Sequence, residues 1–162
     1  MRPEQTSGWD RFHKSFMEYV YDEIENLQNF VSTVTPSIKI QLNEDYPFTG
    51  RKANWLGAYE RRRFSLAKTG ILSIAVNEIK IFDELSKRNA LDDFNIEAQA
   101  RITVGHEVGH GLAEWLRLNT NKKITVSGEE YLVEEFGRSR FSEATGVYGS
   151  KLEDIFENSI KK

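Results

Sequence analysis

His106-Glu107-Val108-Gly109-His110 is the stretch on which the reading of this chain turns. It sits in a segment that reads as helix from about 95 to 117. Residues four apart on an α-helix stand one above the other on the same face, so the two imidazoles converge on a point that one metal ion can occupy. Imidazole pairs of this kind suit zinc. Glu107 projects beside the first histidine, where its carboxylate can take a proton from water at the metal instead of binding the metal itself.

Two protein ligands are too few, since catalytic zinc generally takes three and a water. The chain has no Cys, and His13 is the one histidine left over, so the third ligand is expected to be a carboxylate. A metzincin would carry Gly and His where Ala113 and Leu116 stand, which removes that class. Downstream lies an acidic, helix-like run, Ser127-Gly128-Glu129-Glu130-Tyr131-Leu132-Val133-Glu134-Glu135-Phe136-Gly137, in which Glu130 follows His110 after 19 intervening residues.

This arrangement resembles the gluzincin class of zinc metallopeptidases, and its size makes it most similar to the minigluzincins and to small metallopeptidases that cleave phage-type repressors. Those families carry a glutamate helix of the form E-x-x-A-x-x-F-A. Glu130, Val133, Phe136 and Gly137 fit that frame, with Val and Gly where Ala is usual. The resemblance covers about 71 to 141 and is sharp only at the H-E-x-x-H motif. It implies a zincin-like α+β fold: an N-terminal backing helix, a small mixed or antiparallel sheet, an active-site helix and a glutamate helix. It also implies Zn²⁺ held by His106, His110 and Glu130, with Glu107 as general base.

The third ligand has an alternate. Ser127-x-x-Glu130 is also a capping box, in which Glu130 bonds back to the helix start and Glu134 becomes the ligand. If Glu130 is the ligand, Glu134 shares its face and can hold His106 by its other nitrogen. Glu129 and Glu135 remain as lesser choices, because short acidic helices are routinely solvated faces.

The rest of the chain reads as a single domain over 1–162, with 1–8 as a leader and 141–162 as a tail. At 39% hydrophobic residues it can bury one core. A net charge of −3 speaks against a nucleic-acid partner. No apolar run reaches membrane length and no signal peptide is evident, so the expected location is cytoplasmic, away from any membrane.

From Trp9 to Val31 apolar residues recur at three- and four-residue steps, predicting an amphipathic helix of about six turns. Pro36 ends it, and Ile38, Ile40 and Leu42 alternate as in a strand. A loop from Asn43 to Asn54 follows. The run from Leu56 to Leu66 is ambiguous. Within it, Arg61-Arg62-Arg63 reads as a solvated face or as an arginine that meets an acidic partner or substrate carboxylate.

Ile71 to Glu78 is the candidate for the cleft's rim strand that the resemblance implies, with Ile71, Leu72, Ser73 and Ile74 binding substrate by β-addition. Gly105, Gly109 and Gly111 point to close backbone packing around the metal, and Leu112, Trp115 and Leu116 to a core anchor. Tyr148 is a candidate oxyanion donor or a packing residue. The expected activity is peptide-bond hydrolysis of a peptide or protein substrate. The alternative is a latent zincin scaffold acting as a regulatory or binding protein. Substrate identity and oligomeric state are not legible in the residues.

Overall fold

The structure, a computed structural model, describes residues 8–61 and 65–159. Residues 1–7 of the leader expected over 1–8, Arg62 and Arg63 of the arginine run, and the last three residues of the tail lie outside them. The fold is α+β, mostly helical, with one three-stranded sheet. Among the described residues no helix is long and apolar enough to cross a membrane.

Helix α1 (Trp9–Val34) buries Phe12, Phe16, Val20, Leu27 and Val31, the stripe that the three-and-four spacing predicts. It stops where Thr35 turns extended, the conformation that the following Pro36 favours in the residue before it. The chain then forms β1 (Lys39–Leu42), a 3₁₀ turn (Gly50–Asn54), β2 (Gly57–Tyr59), a π-helical turn (Ser65–Thr69) and β3 (Ile71–Val76). Helices α2 (Glu78–Lys87), α3 (Asp93–Asn119), α4 (Val126–Ser139), α5 (Ser142–Thr145) and α6 (Lys151–Glu157) complete it.

The sheet order is β1-β3-β2, with β1 parallel and β2 antiparallel to β3. This corrects the rim-strand expectation. Ile71, Leu72, Ser73 and Ile74 pair with β1 along one edge, while on the other edge Tyr59 faces Ile74 and the Glu60 amide donates to Ser73 O. Leu72 and Ile74 are wholly buried. A strand this apolar belongs in the sheet's interior, where both faces and both edges are covered. Among the described residues the free edge belongs to β2. The outer edge of β1 is taken by Gln28 of α1, whose side chain accepts from Ile40 N and donates to Ile38 O.

The apolar run from Ile71 to Phe82 divides at Asn77, whose side chain accepts from Lys80 N and caps α2. The same side chain donates to Trp55 O at 2.9 Å and so ties down the approach to β2. Farther along the chain, Thr125 caps α4 and Val126 opens it.

Helix α3 is buried nearly all round, packed by α1, by α4 and by the sheet, which is the burial expected of a helix without a solvent face. Helix α1 backs α3 more than the sheet, which it meets chiefly at β1. Leu112, Trp115 and Leu116 lie in the core as expected. Glycines set the close approach of α3 to its neighbours. A Cβ at Gly137 of α4 would stand 3.0 Å from Ile102 O and 3.1 Å from His106 N, and one at Gly111 would fall 2.4 Å from Leu72.

A buried charge cluster fastens the helices together. Glu23 of α1, 1% exposed, accepts from Arg101 Nη1 at 2.8 Å and from Arg140 Nε at 2.6 Å. Buried charge is tolerated only when it is paired and hydrogen-bonded in this way.

Candidate metal centre

His106 and His110 stand on consecutive turns of α3 with ring centroids 5.0 Å apart. Glu130, on the second turn of α4, joins them. One potential ligand atom from each of the three lies within 4.8 Å of the others, and His110 Nε2 is 3.9 Å from Glu130 Oε2. Two ligand atoms on one tetrahedral zinc stand about 3.3 Å apart at bond lengths near 2.0–2.1 Å. The Glu130 side chain is 63% exposed and free to close that difference by rotation. This donor set, two imidazoles and a carboxylate on two rigid helices, fits zinc.

Helix capping decides which acid joins the histidines. The N-cap of α4 is Thr125, whose Oγ1 accepts from Gly128 N at 3.0 Å. Ser127 therefore lies inside the first turn, and the alternate capping box with Glu130 is not formed. Glu134 is exposed and lines the cleft beside His106, where its charge acts on the ring without a direct hydrogen bond among the described contacts.

Glu129, weighed in the sequence only as a lesser ligand, has a different place. It is 3% exposed, and its Oε2 is hydrogen-bonded to His110 Nδ1. The same carboxylate receives Arg117 Nη2 at 2.7 Å on Oε1, and Arg61 Nη2 reaches it from the strand side. Binding Nδ1 fixes the ring's orientation and leaves Nε2 directed at Glu130. No spacing rule in the sequence points to this chain of contacts, because Arg61, Arg117 and Glu129 come from three separate elements.

The electrostatics follow from burial and these partners. Burial would raise the Glu129 carboxyl, but the bonds from His110 and Arg117 and the charge of Arg61 outweigh it and hold it at about 2. Burial pulls His110 down, yet its bond to Glu129 and the surrounding carboxylates leave it raised. His106 is lowered, first by burial and then by the nearby His110. Glu107, 8% exposed, is pushed by burial to about 7, the range in which a carboxylate exchanges protons near neutral pH.

Above Glu107 runs β2. A Cβ at Gly57 would stand 3.0 Å from Glu107 Oε2 and 2.9 Å from Thr103 Cγ2, so only glycine lets the strand lie this close to the acid. Two adjoining hollows, both lined by Trp55, Gly57, His106 and Glu107, form a groove along the strand. One extends past Tyr59 and Arg61 to His110 and Glu130, the other past Leu56 and Ile102 to Glu134.

The strand's backbone is available to the groove. Asn77 N donates to Leu56 O and Glu60 N donates to Ser73 O, so residues 56, 58 and 60 direct their backbone groups at β3. By the alternation of an antiparallel ladder, Gly57 and Tyr59 direct theirs outward. The Tyr59 hydroxyl donates to Glu114 Oε1 at 2.5 Å, and burial and that bond keep it protonated. Tyr148, the tail candidate, is 79% exposed and lines neither hollow. Another hollow, lined by residues such as Asn43, Tyr46 and Asn77, shares no residue with the centre.

Comparison with protein-family models, with curated proteins and with solved structures finds no match.

Proposed function

We propose that the protein is a zinc-dependent metallopeptidase with a zincin-like fold of the gluzincin type, acting on a peptide or protein substrate. One observation carries the reading: His106, His110 and Glu130 converge around one point, with buried Glu107 beside them under the edge of β2 that no described strand pairs. A site that only stored metal would need neither a buried carboxylate at that point nor a strand edge above it that is open among the described residues.

Zinc, when bound, lowers the pKa of water to about 7 and polarises a carbonyl. The residues of the chain do the rest. Outward amide and carbonyl groups of Gly57 and Tyr59 hold an extended peptide by adding it to the sheet, which places its backbone across the histidines. Glu107, held close to its working range by burial, takes a proton from the attacking water and returns it to the departing amine. Glu129 keeps the His110 ring from turning.

Two measurements test this. Purified protein loaded with zinc and dialysed should hold about one ion per chain. Against a mixed peptide library read by mass spectrometry, Glu107→Gln should keep the zinc and the fold but lose about 10² to 10⁴ in cleavage rate. Equal cleavage by both proteins would assign the activity to a contaminant. No bound zinc would end the proposal.

A further inference from the structure

The two ends of the groove differ in charge. On the Trp55 side of the histidines the walls are Leu56, Ile102 and Thr103, with the exposed Glu134 at the margin. On the other side, past Tyr59, the wall is Arg61, with Glu130 beside His110. The Arg61 side chain is 53% exposed, and among the described residues only Nη2 is engaged, on Glu129 Oε2. Glu129 is simultaneously held by Arg117, which lies behind it and also donates through Nε and Nη2 to Ile124 O. One carboxylate thus faces two guanidiniums. The guanidinium that faces the groove has N–H donors to spare.

We infer that Arg61 is a specificity-determining residue, selecting peptides with an acidic side chain on the amino-terminal side of the bond cut. The inference rests on the peptidase reading, in which the charge of Glu130 is committed to the metal. The side follows from strand direction. β2 runs from Gly57 toward Arg61, and a substrate added antiparallel, the more stable pairing per residue, runs from the Arg61 end toward the Trp55 end. Residues over Arg61 therefore precede the scissile bond. A carboxylate there meets a planar donor fork without displacing Glu129, because Arg61 needs one donor for Glu129 and offers others.

The experiment uses full-length, zinc-loaded protein and a pool of end-blocked dodecapeptides, with cleavage sites read by mass spectrometry. Paired peptides that differ only by Glu or Gln at the preferred position then give kcat/KM. Wild type should prefer Glu by about 2- to 5-fold, the upper part of the range for an exposed ion pair, with most of the effect in KM. Arg61→Met should bring the ratio to about one, Arg61→Lys should keep part of it, and Arg61→Glu should favour Lys over Glu at that position.

Arg117→Met is the control. It also takes one guanidinium from Glu129, but Arg117 does not line the groove, so the preference should survive. Zinc content and thermal unfolding of every variant separate selectivity from damage to the centre. Cleavage without an acidic preference, a preference confined to the other side of the bond, or a preference unchanged in Arg61→Met would overturn the inference and leave the peptidase reading standing. Absence of zinc binding or of any cleavage by wild type would overturn both.

Discussion

His110 and Glu129 meet across the seam between α3 and α4, the imidazole Nδ1 bonded to a buried carboxylate that Arg117 grips from behind and Arg61 from the strand side. One side chain thereby links the histidine to α4, to the end of α3 and to the chain just past β2. The arrangement divides the labour between adjacent acids on one helix. Glu129 points inward and orients; Glu130 points at the histidines and is free to ligate.

That division orders the effects on metal affinity. Glu130→Gln should weaken zinc binding most, by the loss of a ligand. Glu129→Gln should weaken it about 10- to 100-fold through the freed His110 ring, and Glu134→Gln less than either. Competition titration with a chelating dye measures all three. A larger loss for Glu134→Gln than for Glu130→Gln would show that the ligand had been chosen wrongly.

The Gly57 contact gives a second prediction. Gly57→Ala puts a methyl group 3.0 Å from Glu107 Oε2 and 2.9 Å from Thr103 Cγ2, which forces the acid or the strand to give way. Zinc content should be unchanged, because none of the three ligands is touched, while peptide cleavage falls about 10- to 100-fold through misplacement of the base. Unaltered cleavage would mean that β2 has no part in holding the substrate against Glu107.

Stability should fall sharply at the cluster that ties α1 to α3 and α4. Glu23→Ala leaves Arg101 and Arg140 short of their buried partner, a change that costs about 3–5 kcal/mol when one side of a buried pair is removed. Urea unfolding of the chelator-treated protein would read it without a contribution from metal. A loss below about 1 kcal/mol would place the cluster with ordinary surface ion pairs.

Acid should act through Glu129. Its folded value of about 2 lies below the ordinary carboxylate value of 4.5, so its contribution is full above 4.5 and is lost as the pH falls toward 2. In chelator-treated protein the stability gap between wild type and Glu129→Gln should therefore be widest near neutrality and narrow across that window. Urea midpoints at a series of pH values test this; a constant gap would show that the carboxylate is not held by charge in the folded state.

The sequence by itself determined the long helices, the motif and the choice of face. Spacing at three and four residues encodes which side of α1 is buried, and i, i+4 geometry alone puts His106 and His110 together, because both are properties of a single helix. Strand order was another matter. Ile71 to Ile74 and Gly57 to Tyr59 are each short runs whose pairing partners lie elsewhere in the chain, and only the assembled sheet made the first central and the second the free edge. Glu129 and Glu130 are chemically identical neighbours. About 100° of helical rotation separates them, and the capping of α4 by Thr125, together with the approach of α3 that Gly137 permits, decided which was buried against Arg117 and which faced the histidines.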